Sequence, residues 1–436
     1  MLPRQGSARL SLASAPSANG LLRTASARPR CAAPASAAPA VGAAELAAAQ
    51  QQLRVPLSDA ERAAPKSRVC VTGAGSYVGT HVVQRLLAAG HTVHAAVRSS
   101  ARAAHLRALP GAGGGRLRFF EGCDLTAPGS YDAAMADCDF VMHHASPFTL
   151  GVKEGDVRDA LLKPAVEGTK NVLASVERSP SVRRVVVTSS IAAVLAYPLP
   201  GYVYSEDDWN EESSPARFPY DLSKALAERA AWEAAARQDR WSLVSVNPGL
   251  VMGPPLGPQG GESVSLMTRI LRGDLALGHP DLRLRTVDVR DVAKAHCVAM
   301  ADPNTAGRYL LAPNDFSFPR TAELLRAGPL GARLAWRLPG RRPAPRWLLR
   351  LLADAVGVER CRLEESYGVP ILVDCSKAQQ DLGLSDWIPE AETYEDMAAA
   401  LIAAGAVPGV AAASARAGRS AAAAGGRGGA RVAPEA

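Results

Sequence analysis

The stretch Val69-Cys70-Val71-Thr72-Gly73-Ala74-Gly75-Ser76-Tyr77-Val78-Gly79 decides the fold of this chain. Its first three residues predict a short buried strand, and residues 81–89 place four apolar side chains on one face of a helix. A glycine-rich turn therefore joins a strand to a helix. Glycines let the backbone approach a pyrophosphate, and a helix N-terminus presents free N–H groups and the positive end of its dipole. The stretch predicts the first unit of a dinucleotide-binding fold.

Strands and helices continue to alternate after this turn. Such β-α-β alternation implies a parallel sheet with helices on both faces. We therefore predict an α/β fold, a Rossmann-type doubly wound parallel sheet with a smaller C-terminal substrate domain. The further predicted strands cover residues 92–97, 117–120, 140–144, 185–188 and 243–246, and the further predicted helices cover residues 157–176 and 223–236.

Composition divides the chain into four segments. Residues 1–65 are rich in Ala, Ser and Pro and carry arginines but no acidic residue before Glu45, which is typical of a disordered transit peptide. Residues 66–250 hold the NAD(P)-binding Rossmann domain, and residues 251–405 hold a substrate-binding part interleaved with it. Residues 406–436 are Ala/Gly/Arg-rich and predict a disordered tail. The first segment predicts a plastid location, with the mitochondrion or the cytoplasm as alternatives.

The overall composition limits the classes of partner. The net charge of +7 is mild and much of it lies in the terminal segments, so we predict no nucleic-acid partner. No run of about 18 uncharged apolar residues is present, so no membrane partner is predicted either. The seven cysteines are scattered without metal-ligand spacing, and no metal site is expected. The predicted partner is a small-molecule substrate, bound by a monomer or a homodimer.

Two arginines follow the second predicted strand. Arg98 lies about twenty residues after the glycine loop, where an acidic residue would hold the ribose 2′-hydroxyl of NADH and repel a 2′-phosphate. Arg102 comes one helical turn later. A guanidinium at this place favours NADPH, so we predict NADP(H) as the cofactor.

A tyrosine and a lysine stand four residues apart in the middle of the chain. Tyr220 and Lys224 share one face of the predicted helix, and Ser189 and Ser190 follow an apolar strand thirty residues upstream. A cation beside a phenol favours the phenolate, so the pair is suited to move a proton on or off that oxygen. This is the equipment for protonating a carbonyl oxygen while hydride arrives at its carbon.

In this order, the motifs resemble those of the extended short-chain dehydrogenase/reductase superfamily. Within it the chain is similar to the dihydroflavonol reductase / cinnamoyl-CoA reductase group of NADPH-dependent carbonyl reductases. The resemblance covers about residues 66–405. It rests on the glycine loop with Gly79, Arg98, residues 124–126, 144–147, 168–173 and 188–190, the run from Tyr220 to Glu228, and residues 247–249, 287–293, 307–309 and 376–378.

The resemblance implies roles for individual residues. Tyr220 would donate the proton to the substrate oxygen, Lys224 would hold the nicotinamide ribose and lower the pKa of the phenol, and Ser190 matches the catalytic serine better than Ser189. The implied cofactor-binding residues are Gly73, Gly75, Ser76, Tyr77, Val78, Gly79, Arg98, Arg102, Asp124, Leu125, Ala145, Ser146, Tyr220, Lys224, Pro248 and Gly249.

The chain departs from the group at Ser76, at residues 216–220 and over residues 326–362, which are rich in Pro and Arg and match the group poorly. Ser76 replaces the usual second glycine of the loop, and residues 216–220 read Ala-Arg-Phe-Pro-Tyr where cinnamoyl-CoA reductases carry Asn-Trp-Tyr-Cys-Tyr. The second departure argues against a true cinnamoyl-CoA reductase. The prediction is an NADPH-dependent oxidoreductase that reduces a ketone or aldehyde, similar to dihydroflavonol 4-reductase. An epimerase or hydroxysteroid dehydrogenase on the same scaffold, or a non-catalytic NADP-binding protein, remain the alternatives.

Overall fold

A parallel sheet of seven strands lies at the centre of the protein. The computed structural model describes residues 53–145, 156–258, 260–350 and 360–410. In chain order the strands are β1 (Arg68–Thr72), β2 (Thr92–Ala96), β3 (Leu117–Phe120), β4 (Phe140–His143), β5 (Arg184–Thr188), β6 (Val203–Tyr204), β7 (Ser242–Pro248), β8 (Leu250–Met252), β9 (Leu284–Asp288), β10 (Gly307–Leu311), β11 (Asn314–Phe316) and β12 (Leu372–Val373). The large sheet has the order β10-β7-β5-β4-β1-β2-β3, and every neighbouring pair is parallel.

Helices cover both faces of this sheet. They are α1 (Asp59–Ala63), α2 (Tyr77–Ala88), α3 (Asp132–Met135), α4 (Lys163–Glu177), α5 (Pro219–Ala235), α6 (Glu262–Arg272), α7 (Val289–Ala301), α8 (Phe318–Ala327), α9 (Gly331–Leu334), α10 (Arg360–Glu365), α11 (Ser376–Leu382) and α12 (Glu390–Ala403). Apolar residues of α2 and α7 pack in one core cluster with the sheet, and those of α4 and α5 pack in another. None of the helices in the described residues is long and apolar enough to cross a membrane.

The predicted fold class is confirmed by this doubly wound arrangement. The strand order reverses at β1, which has β2 on one side and β4 on the other. In open parallel sheets a ligand binds at the carboxyl ends of the strands at such a reversal. The loops after β1 and β4 therefore mark the expected cofactor cleft.

The C-terminal part has a core of its own and also contributes to the large sheet. Buried residues of α6, α8 and α12 form a separate apolar cluster beside the small sheet β11-β9-β8. In contrast, α7 and β10 belong to the large sheet and its helical layer. The two parts are thus interleaved along the chain.

The prediction of disorder over residues 1–65 is wrong for the part that the structure describes. Ser58 caps α1 in a capping box with Glu61, and the Glu61 carboxylate is buried. Arg85 of α2 donates to this carboxylate at 2.5 Å and 2.7 Å, and also to the carbonyls of Val55 and Pro56 at 2.8 Å. Residues 53–65 therefore belong to the folded body, while residues 1–52 lie outside the described residues.

The predicted disordered tail also begins too early. Val407 is 2 % exposed and packs in the C-terminal core, and the Ala406 amide donates to the Leu401 carbonyl at 2.9 Å. The Arg272 side chain donates to the Ala406 carbonyl at 2.9 Å. The folded body thus extends to at least residue 410, and the rest of the tail lies outside the described residues.

Candidate active site

The glycine loop forms a tight cradle between β1 and α2. Gly73 has φ +64°, and a Cβ placed on it would lie 3.0 Å from the amide nitrogen of Ala145, just after β4. A Cβ on Gly79 would lie 2.3 Å from the Gly73 carbonyl oxygen. Both positions therefore require glycine, and the cradle lies where the strand order reverses. A dinucleotide fits a turn of this kind, because glycines let the backbone approach a pyrophosphate and the start of α2 presents free N–H groups.

Ser76 has a structural task at the start of α2. It is the N-cap residue, and its Oγ accepts a hydrogen bond from the Gly79 amide at 3.2 Å. Serine is among the residues preferred at this position. The replacement of a loop glycine by Ser76 therefore stabilises the first turn of the helix that faces the cofactor.

Three other loop residues are fixed by their packing. A Cβ on Gly75 would lie 3.1 Å from the Ala103 Cβ, so the loop is close to the segment after β2. The Tyr77 hydroxyl donates to the Gly253 carbonyl at 2.6 Å, and burial raises the pKa of this phenol well above its usual value. Val78 packs against the apolar core cluster that contains residues of β1, α2 and α7. The side chain of Tyr77 thus joins the loop to the C-terminal part.

We expect Gly79→Ala to weaken NADPH binding by roughly fivefold to a hundredfold. The new Cβ would clash with backbone, and overpacking of this kind costs about 1–3 kcal/mol. Fluorescence titration with NADPH measures the effect, and Gly260→Ala is the control, since a Cβ there meets no atom within 4 Å. An unchanged affinity in Gly79→Ala would show that the cofactor does not use this cradle.

The residues predicted to hold the adenosine end lie around the carboxyl ends of β2 and β3. Arg98 and Arg102 are exposed after β2. The Asp124 carboxylate accepts from the Thr126 amide at 2.8 Å and from its hydroxyl at 2.7 Å; these bonds, with a smaller effect from Arg98, lower the pKa of Asp124. The Leu125 carbonyl accepts from the Asn171 side chain at 2.8 Å. Because the Arg98 charge acts on the Asp124 carboxylate, these two residues are neighbours.

Tyr220 and Lys224 lie at the N-terminal end of α5, where the Lys224 Nζ is 5.7 Å from the centre of the Tyr220 ring. The helix begins at Pro219 rather than at the predicted Ser223. Proline is compatible with a first helical turn, and the preceding Phe218 is fully buried in the left-handed region with φ 56°. Tertiary packing holds Phe218 in this conformation, which sequence patterns do not indicate.

The two serines after β5 have different partners. The Ser189 hydroxyl donates to the Glu228 carboxylate at 2.6 Å. The Ser190 Oγ accepts from the Ala192 amide at 3.1 Å and its side chain is hydrogen-bonded to that of Tyr220. The structure therefore brings together Ser190, Tyr220 and Lys224, whereas Ser189 bonds to Glu228 and not to Tyr220.

Burial dominates the protonation of the Tyr220–Lys224 pair. It raises the pKa of Tyr220, as does Asp221, while the Ser190 hydrogen bond and the Arg362 guanidinium act in the opposite direction. Burial lowers the pKa of Lys224 to about 8, and Glu228 opposes this shift. At neutral pH the phenol therefore carries its proton and most of the lysine is charged, as a proton donor beside a cation requires.

The segment after β7 closes the site. Gly249 directly follows β7, and a Cβ on Gly249 would lie 2.5 Å from the Arg285 carbonyl oxygen. Pro248 is the last residue of β7, and Asn247 before it donates to the Ser190 carbonyl at 3.2 Å. Ala145 lies against Gly73, as described, while Ser146 lies outside the described residues.

Three buried histidines lie near the carboxyl ends of β4 and β5. His143 pairs with Thr72 at 2.8 Å, and burial, with a smaller effect of Lys224, lowers its pKa to about 4. His144 pairs with Thr188 at 2.6 Å, and Thr188 pairs with His296 at 2.8 Å. Burial lowers the pKa of both His144 and His296. These rings are neutral at physiological pH and connect the ends of β4 and β5 to α7.

Two charged groups near the site were missed by reasoning from sequence. Glu228 lies four residues after Lys224 on α5, a spacing that places both on one helical face and could have drawn attention to it. Arg362 of α10 pairs with Asp221, next to Tyr220. No local pattern predicts the second contact, because it joins residues that are 141 positions apart.

Known proteins resemble this chain in sequence and in fold. Residues 69–312 match the model of the NAD dependent epimerase/dehydratase family. The chain is 37 % identical over 267 residues to cinnamoyl-CoA reductase CAD2 of Medicago truncatula, covering 59 % of this chain and 79 % of the relative. It is 30 % identical over 266 residues to dihydroflavonol 4-reductase of Gerbera hybrida, covering 59 % and 71 %.

A solved structure extends the likeness. The yeast methylglyoxal/isovaleraldehyde reductase Gre2 complexed with NADPH is 26 % identical, and the likeness covers 78 % of this chain and all of that one with a TM-score of 0.66. The resemblance inferred from the motifs is thereby confirmed. The chain belongs to the NAD dependent epimerase/dehydratase family of the extended short-chain dehydrogenases/reductases.

Proposed function

We propose that the protein is an NADPH-dependent reductase that converts a ketone or aldehyde to an alcohol. The observation that carries this proposal is the meeting of Ser190, Tyr220 and Lys224 beside the glycine cradle at the carboxyl ends of the strands. Relatives that are named as reductases, and a neighbour solved with NADPH, support both the chemistry and the cofactor.

The chain's own residues then divide the work. Bound NADPH supplies a hydride to the carbonyl carbon of the substrate. Tyr220 gives its phenolic proton to the carbonyl oxygen, and Ser190, hydrogen-bonded to Tyr220, orients and polarises that oxygen. Lys224 holds positive charge beside the phenol as the proton leaves, and it would bind the nicotinamide ribose, as the resemblance implies.

A substrate screen tests this function directly. The purified full chain is incubated with NADPH or NADH and a panel of small and aromatic ketones and aldehydes, and cofactor oxidation is followed by absorbance. We expect alcohol formation in step with NADPH consumption for at least one carbonyl class. Tight NADPH binding without turnover across the whole panel would instead support a non-catalytic NADP-binding protein.

We also propose that Arg98, assisted by Arg102, selects NADPH. Charge-assisted hydrogen bonds to a 2′-phosphate are worth roughly 1.5–3 kcal/mol, so NADPH should be preferred by about tenfold to a hundredfold. We expect Arg98→Asp to reverse or abolish this preference, because a carboxylate repels the phosphate and accepts from ribose hydroxyls. Arg102 would retain part of the phosphate affinity.

The ratio of kcat/KM for the two cofactors measures this preference. Arg237→Asp is the control, since Arg237 is an exposed arginine just beyond the end of α5. If Arg98→Asp leaves the ratio at its wild-type value, the ribose lies elsewhere.

For residues 1–52 we propose an organellar address, with the plastid first. The support is composition: many Ala, Ser and Pro, arginines, and no acidic residue before Glu45. A fusion of this segment to a fluorescent protein should enter plastids or mitochondria, and diffuse cytoplasmic fluorescence would refute the address.

A further inference from the structure

The Glu228 carboxylate is a buried charge at the centre of a polar network next to the proposed site. Its side chain is 0 % exposed. It accepts hydrogen bonds from four side chains: from Ser189 in the loop after β5 at 2.6 Å, from Asn247 of β7 at 2.7 Å, from Arg308 of β10 at 2.8 Å, and from Trp232 of its own helix α5 at 3.3 Å. A carboxylate with this many donors is rigidly held.

Two of these contacts lead to Ser190. Ser189 precedes it in the chain, and Asn247, which donates to Glu228, also donates to the Ser190 carbonyl at 3.2 Å. The backbone on either side of the Ser190 side chain is therefore tied to α5, the helix that carries Tyr220. Loss of the carboxylate would release both ties at once.

The same carboxylate opposes the loss of charge at Lys224. Lys224 is buried, and burial favours the neutral amine. Among the described residues, Glu228 lies one helical turn after Lys224 and opposes its loss of charge, Tyr220 lies on the same helix, and His143 on β4 is kept neutral by burial. Glu228 is thus the anion that keeps the lysine protonated.

We propose that Glu228 is a positioning residue for carbonyl reduction, which fixes the Ser189–Ser190 turn against α5 and supplies the negative charge that keeps Lys224 cationic. This inference rests on the proposed function. Arg308 completes the arrangement, since its guanidinium also donates to the carbonyls of Glu206 and Asp208 at 2.8 Å and 2.5 Å and holds Glu228 from the edge strand.

The test compares pH profiles of kcat/KM for wild type and Glu228→Gln. Carbonyl reduction needs a charged Lys224, so the profile should fall on the basic side near the pKa of Lys224. Removal of the opposing carboxylate should lower the pKa of Lys224 further, so the basic limb should move to lower pH. We also expect kcat to fall at least about tenfold while KM for NADPH changes less.

Two further variants separate this role from simple loss of structure. Glu233→Gln makes the same chemical change on an exposed face of α5 and should leave the pH limb in place. Glu228→Gln alone leaves Arg308 buried without its counter-charge, so Glu228→Gln/Arg308→Gln is made as well; because it removes one negative and one positive charge together, its basic limb should lie between those of Glu228→Gln and wild type. A folded Glu228→Gln protein whose basic pH limb matches wild type and whose kcat lies within about twofold of wild type would overturn the proposal.

A readout independent of turnover distinguishes this proposal from the proposed function. The Lys224 amine is titrated by NMR in lysine-labelled protein, with its signal assigned by Lys224→Arg. We expect a midpoint near 8 in wild type and a lower one in Glu228→Gln. If the wild type reduces no carbonyl but the Lys224 midpoint is still lower in Glu228→Gln than in wild type, only the reductase assignment fails. An unshifted midpoint overturns the role of Glu228.

Discussion

Tyr220→Phe is expected to lower kcat for carbonyl reduction by about 10²–10⁴-fold, the usual contribution of general acid catalysis. The ring and its burial are retained, while the only proton that the side chain can donate to the substrate oxygen is lost. Because the pyrophosphate cradle is untouched, NADPH should bind with nearly normal affinity. Stopped-flow measurement of NADPH oxidation, together with fluorescence titration, separates the two effects.

Tyr202→Phe is the matched control for this variant. It removes a phenol hydroxyl that pairs with Asp208 at 2.7 Å on an exposed surface, and activity should remain normal. A Tyr220→Phe protein that turns over within threefold of wild type would remove Tyr220 from the mechanism and leave the Ser190 hydroxyl or a water molecule as the donor.

Glu61→Gln is expected to lower the free energy of unfolding by about 3–5 kcal/mol, because it leaves the Arg85 guanidinium buried without a counter-charge. The side chains of this pair are only 3 % and 1 % exposed. Urea unfolding followed by circular dichroism measures the loss. A fragment that begins at residue 66 lacks residues 53–65 and their contacts with Arg85, and it should also be less stable than one that begins at residue 53.

The control for Glu61→Gln is an ion pair of the same type in water. Glu167 pairs with Lys170 at 3.0 Å, with both side chains about half exposed, and such pairs contribute about 0–1 kcal/mol. Glu167→Gln should therefore unfold almost like wild type. If the two variants lose the same small amount, the contacts of residues 53–65 with α2 do not stabilise the body.

Local patterns predicted the frame of the protein well. The strand, glycine turn and helix at residues 69–89 and the four-residue spacing of Tyr220 and Lys224 follow from short-range geometry, so sequence was sufficient there. Composition was a poorer guide at the borders. The arginine- and alanine-rich bias of the N-terminal segment extends past residue 53, but Ser58 and Glu61 carry the spacing of a capping box, which was the stronger local signal.

Long-range contacts were beyond any pattern in the sequence. Ser189 is directed to Glu228, and Asp221 to Arg362, only after distant segments have come together. The left-handed Phe218 at the start of α5 is likewise imposed by its buried surroundings. The first of these contacts distinguishes Ser190, which can serve the chemistry, from its neighbour Ser189, which cannot.

The edge strand β10 has a consequence for how the chain becomes a folded protein. It pairs with β7 from Gly307 to Leu311, and it arrives only after α6, β8 and β9 of the C-terminal core have been made. The nucleotide-binding half therefore cannot complete its sheet on the ribosome until more than fifty further residues beyond β7 have emerged, and until then β7 remains an open edge. A gene divided after residue 250 would separate β7 from its partner strand β10, so an exchange of the substrate-binding region has to keep the β7–β10 pairing.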